Sequence, residues 1–204
     1  KGLISHDKGK TFNDILFQIK SIGYDVDYRV LNSLDYGVPH MRQRVYIIAV
    51  NRDLYIDFTK FIWPEPQKRV RLSRYLQPND NRMSDEDYEW FTERYLFNDE
   101  NKGKYILEEL LRQQYLIIDT RMSDLRLYKN RVPTLRAHRD GIYYVYNREL
   151  YYLTGAEALR LQGFTYHRIN KVKDKVSNRH LLKQAGNAMT ATVIKALGES
   201  LKRL

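Results

Sequence analysis

Apolar positions along the chain fall into three regimes. Phe12, Ile15, Leu16 and Ile19 recur at i, i+3, i+4 and i+7, the spacing of one helix face, with Thr11 as its cap and Gly23 past its end. An extended stretch from Tyr24 to about Leu31 follows, then a turn rich in Asp35, Gly37 and Pro39. The run Val45-Tyr46-Ile47-Ile48-Ala49-Val50 is continuously apolar, which predicts a strand buried on both faces. Helix followed by buried strand is an α/β signature. From about 55 to 130 the pattern is irregular and carries Trp63, Pro64, Pro66 and Pro78; within it Ser84 and Asp87 can cap a helix over about 85–97. Regular helices return in the tail. Thr154 and Glu157 form a capping box, Leu153 and Ala158 its hydrophobic staple, and Gly163 ends that helix. After a basic loop, a last helix is expected to start near Asn187 and to bury Ile194, Leu197, Leu201 and Leu204.

Charge sharpens this division. The chain has 204 residues, enough for one domain plus a small appendage, and a formal net charge of +10, which points to a polyanionic partner. Between 85 and 100 seven Asp or Glu face one Arg, whereas 112–148 holds eight Lys or Arg against three Asp. The middle therefore reads as a small separate subdomain with a polarised surface. Cysteine is absent, which excludes disulfides and thiol nucleophiles within these residues. His6, His138, His167 and His180 lack metal-ligand spacing, so no metal is assigned. No apolar run is long enough for a membrane span, and localisation defaults to the cytoplasm. The start, Lys1-Gly2-Leu3-Ile4-Ser5-His6, has no initiator Met, and the chain is expected to begin inside a longer product.

Three segments, in order, resemble the cytosine-5 DNA methyltransferases. Gly37-Val38-Pro39-His40-Met41-Arg42-Gln43-Arg44 running into Val45-Tyr46-Ile47-Ile48 looks like the family's eighth motif, with His40 where Gln is usual. Arg131-Val132-Pro133-Thr134-Leu135-Arg136-Ala137, followed by the stretch from Leu153 to Phe164, is similar to the ninth. Gln184-Ala185-Gly186-Asn187-Ala188-Met189 is similar to the tenth. A variable stretch of roughly 80 residues separates the first two, as a recognition region would. The family's Phe-x-Gly-x-Gly, Pro-Cys-Gln and Glu-Asn-Val motifs are absent.

The resemblance implies an α/β fold: the C-terminal part of a Rossmann-like methyltransferase domain, residues 1–54 and 150–204, plus a small mixed α/β target-recognition subdomain, residues 55–149. It implies double-stranded DNA as partner, S-adenosylmethionine as cofactor and an N-terminal methyltransferase half supplying the nucleophile. By the same resemblance Arg44 reaches the flipped cytosine and Arg42 braces the catalytic loop, while Asn187, Ala188 and Met189 wall the cofactor pocket. Arg121, Arg131, Thr134, Arg136, His138 and Arg139 are the candidate DNA contacts, as phosphate anchors or base readers. Two rivals stay open at this level: an inactive DNA-binding or regulatory module, and a companion subunit. A split enzyme predicts a bare apolar surface on the first helix and strand.

Overall fold

The computed structural model describes residues 2–122, 124–137 and 140–204. A short helical turn, α1 (Gly2–Ser5), leads through a kink to α2 (Lys10–Ser21). The cap of α2 is Gly9, at φ +91°, a left-handed conformation glycine adopts without strain; Thr11 instead meets His6 Nδ1 at 2.9 Å. Only Phe12 of the expected stripe is buried, and Ile15, Leu16 and Ile19 are half-covered.

Next come β1 (Tyr24–Asn32) and β2 (Gln43–Asn51), paired antiparallel from Tyr24↔Asn51 to Asn32↔Gln43. This corrects the expectation of a strand buried on both faces, because Tyr46 alone in β2 is buried. Among the described residues this sheet has two strands only; Trp63 and the C-terminal helix α8 (Ala191–Leu201) cover one face, and on the other α2 sets Phe12 edge-on to Tyr28 at 4.6 Å.

The middle of the chain supplies α3 (Asp85–Tyr95), α4 (Leu107–Leu111), β3 (Ile117–Asp119), β4 (Arg126–Tyr128) and β5 (Ile142–Tyr146). Together with β6 (Glu149–Tyr152) they make a four-stranded antiparallel sheet in the order β4-β3-β5-β6. Strand alternation sends neighbours to opposite faces. Ile117 and Tyr144 join α5 (Gly155–Leu161) and α7 (Asn178–Asn187), while Ile118 and Val145 pack on Phe91, Tyr95 and Leu96 around α3. The sheet is thus a central layer between two helical layers, and β6 runs across residue 149, where the sequence suggests a boundary. Tyr144 and Tyr151 stack at 5.5 Å inside it, in a packing role.

After α5 and α6 (Tyr166–Asn170), the tail departs from expectation. Asn187 closes α7 instead of opening the last helix; Ala188 is extended at ψ 150°, and α8 starts at Ala191. Its buried stripe is Val193, Ala196, Leu197 and Ser200, with Ile194 42% and Leu201 38% exposed. Leu197 is buried as expected, while the rest of the buried face shifts from Ile194 and Leu201 to Val193, Ala196 and Ser200. The capping box stands as read, with Glu157 accepting from Thr154 N–H at 2.8 Å and donating its own N–H to Thr154 Oγ1 at 3.2 Å.

Candidate functional site

The turn 39–42 lies against residues 132–135. Val132 N–H donates to Pro39 O and Met41 N–H to Val132 O, both at 2.8 Å, and Thr134 Oγ1 donates to Met41 O at 2.6 Å. Turn and segment thereby form a short ladder between motifs some 90 residues apart.

Arg42 locks this ladder to a third segment. Its Nη1 donates to Leu135 O at 3.2 Å and its Nη2 to Gly186 O at 3.1 Å, with the residue 5% exposed. Burial and the neighbouring Arg44 charge lower its pKa to about 10, so it stays cationic at neutral pH. Its Nε is buried without a partner. Gly186 has to be glycine here, because a Cβ would overlap the Arg136–Ala137 backbone.

His40 completes the pinning of Leu135. Fully buried, it accepts the Leu135 N–H on Nε2 at 3.2 Å. Desolvation, then the charges of Arg42 and Arg44, lower its pKa to about 3; the ring is neutral and its Nε2 must be the bare nitrogen. An amide oxygen can accept the same hydrogen bond, which is how His fills a place where Gln is usual.

A second buried relay holds the break before α8. Ser33 Oγ and Thr190 Oγ1 share a hydrogen bond at 2.7 Å, Thr190 Oγ1 donates to Gln162 Oε1 at 2.8 Å, and Gln162 Nε2 donates to Ala185 O at 2.6 Å. Sequence reasoning missed Ser33, Thr190 and this use of Gln162. Their signal was weak: single uncharged polar residues flanking far more distinctive motifs.

The remaining candidates divide. Arg44 is half-buried in β2, donates from Nη1 to Gln43 O at 2.8 Å and forms no ion pair among the described residues. Two guanidiniums thus sit two positions apart with no described carboxylate on either, a locally unneutralised positive field. Arg131 and Arg136 are exposed, and Thr134 is half-buried on Met41 O. Arg121 departs from its expected role on DNA: its side chain is 6% exposed, pairs with the buried Asp119 at 2.7 Å and donates to Thr134 O at 2.9 Å. That guanidinium supports the 132–135 segment from inside. His138 and Arg139 lie outside the described residues.

Asn187 and Met189 are exposed, and Ala188 borders an apolar cavity of about 360 Å³ with Leu159, Phe164, Ile169 and Gln184. Asn187 is the last residue of α7 and Ala188 and Met189 follow it, so the positive helix end expected at Asn187 is not there.

Among the described residues no helix is long and apolar enough to cross a membrane. The solved structures similar to this chain include Entamoeba histolytica methyltransferase EhMeth, at TM-score 0.61 and 17% identity over 95% of this chain and 58% of that one. A DNA modification methyltransferase from an Escherichia coli prophage matches at TM-score 0.57 and 22% identity, over 98% and 66%. At such identities the likeness is one of fold, a mixed α/β architecture. Among curated relatives, Type II methyltransferase M.NgoBI of Neisseria gonorrhoeae is 31% identical over 96% of this chain and 56% of its own length. M.SsoII of Shigella sonnei is 30% identical over 98% and 50%. The chain therefore spans about half the length of the curated relatives it matches. Residues 1–203 match the C-5 cytosine-specific DNA methylase family, and the chain belongs to it.

Proposed function

We propose that these residues are the DNA-recognising, cytosine-holding portion of an S-adenosylmethionine-dependent cytosine-5 DNA methyltransferase. One observation carries the reading: the Arg42 guanidinium ties the turn at 39–42 to Leu135 and to Gly186, so all three family-like segments meet at one side chain. Conversion of cytosine carbon 5 into a nucleophile requires a thiolate on carbon 6, and negative charge then develops on ring nitrogen 3 and oxygen 2. Arg44, free of any described carboxylate, is the donor for that oxygen. Arg42 is the positioning residue that fixes the strand head from which Arg44 projects. These 204 residues contain no cysteine, so the reading takes the thiolate from residues outside them.

For the cofactor, exposed Asn187 and Met189 with Ala188 beside an apolar cavity fit one wall of a site for a nucleoside with an aliphatic chain. Bound S-adenosylmethionine supplies the methyl group; the break at 188–190, held by the Ser33–Thr190–Gln162 relay, keeps this wall in place. In this reading 1–54 and 150–204 belong to the catalytic domain and 55–149 to the recognition subdomain, with exposed Arg131 and Arg136 toward duplex DNA.

The test is Arg44→Ala in the full-length protein. Methyl transfer to duplex DNA is expected to fall on the order of 10²-fold, the usual loss for one donor to a developing oxyanion, with stability changed by less than about 0.5 kcal/mol. Unchanged turnover removes Arg44 from the chemistry.

A further inference from the structure

Residues 166–183 carry six Lys or Arg against one Asp, a basic stretch of which only Arg168, at the rim of the Ala188 cavity, adjoins the site above. Arg168, Lys171, Lys173, Lys175, Arg179 and Lys183 are all exposed. Their backbone is ordered by hydrogen bonds: Val172 and Lys173 donate to Ile169 O, and Lys175 and Val176 donate to Val172 O, at 2.9 to 3.0 Å. Ile169 is buried in the core below, with Val172 and Val176 packed against it. Three inward anchors on a hydrogen-bonded turn force the intervening cations outward, and they are presented without the ordering cost of a loose loop.

Charge pairing elsewhere shows what this ridge lacks. At i,i+4 the chain has opposite charges on α4 (Glu108 with Arg112) and α8 (Lys195 with Glu199). On α7 the same spacing holds Arg179 and Lys183, a like-charge arrangement that disfavours a helix. None of the six cations forms an ion pair among the described residues. Arg179 brings one end of this stretch to the segment that carries Arg136. Arg179 and Arg136 line one cavity of about 280 Å³, and farther along α7 Gly186 abuts the Arg136–Ala137 backbone.

We propose that the α6–α7 ridge is a second, sequence-independent contact for the sugar-phosphate backbone of duplex DNA, gripping the duplex beside the bases that the recognition segment reads. The proposal rests on the DNA methyltransferase reading above. Several exposed, unpaired cations on an ordered backbone match the many charges of a phosphate chain better than a single small anion.

The experiment is a salt titration of duplex binding by the full-length protein, with the triple variant Lys171→Gln, Lys173→Gln, Lys175→Gln beside the parent. The slope of log K against log salt is expected to shrink by about 0.9 for each phosphate that the variant no longer neutralises. Affinity should drop equally for duplexes with and without the recognition sequence, while turnover at saturating DNA and the thermal unfolding midpoint stay as in the parent. An unchanged slope in the folded variant overturns this inference alone. A parent slope near zero overturns the methyltransferase reading along with it. Weakened binding to an RNA hairpin with duplex DNA unaffected also overturns it.

Discussion

Arg42 and His40 show how two side chains act on one residue, Leu135, from opposite ends. His40 takes its N–H and Arg42 holds its carbonyl. Arg42→Ala leaves the Leu135 and Gly186 carbonyls buried without their charged donor; a loss of about 3 kcal/mol is expected in urea unfolding, at roughly 1.5 to 3 per charged hydrogen bond. A loss under about 1 kcal/mol would contradict the clamp. For His40 the pH dependence has a definite sign. The folded ring has a pKa of about 3 against the ordinary 6.5, so between those values the unfolded chain binds the extra proton. Its contribution is whole above pH 6.5 and declines as pH falls toward 3, by at most about 1.4 kcal/mol per pH unit. His40→Gln keeps an acceptor for Leu135 and removes that decline. Parallel stability-pH curves for the two proteins would contradict the assignment. The sequence marks His40 as a departure but carries no sign of its burial, which the fold decides.

At the scale of elements, the informative feature is the break between α7 and α8. Local sequence reads Asn187 as a helix start, since Gly186-Asn187 precedes a regular apolar pattern. The structure ends α7 there because Thr190 is drawn into the buried relay with Ser33 and Gln162, and Ser33 and Thr190 are 157 residues apart, a pairing that no local pattern encodes. Thr190→Val is expected to cost about 1 to 3 kcal/mol, because both partners lose their bond in a buried site; a neutral result would show the break to be set by backbone alone. Gly186→Ala is expected to destabilise by about 1 to 3 kcal/mol through overlap with Ala137, read from the thermal midpoint. The capping box at Thr154–Glu157, by contrast, was legible because it is local. What it hid is that Glu157 also accepts from Gln77 N–H at 2.6 Å and Tyr144 Oη at 2.9 Å, burial raising its carboxyl above the usual range.

Across the whole molecule, the four-stranded sheet carries a buried cluster on each face, whereas the β1–β2 hairpin has one on the Trp63 and α8 side and only the Phe12–Tyr28 contact of α2 on the other. Phe17 and Ile22 stand 72% and 71% exposed, and Tyr28 and Val30 of β1 are exposed as well. The motifs were legible because each is short and chemically distinctive. Their convergence on Arg42 was not, since it depends on the middle layer folding between them. The central claim, that this chain holds DNA and cytosine while the thiolate comes from elsewhere, is tested most directly by transfer of a labelled methyl group from S-adenosylmethionine to duplex DNA. The account predicts no transfer by the folded 204-residue chain alone and transfer once the cysteine-bearing portion is added; turnover by the chain alone contradicts it.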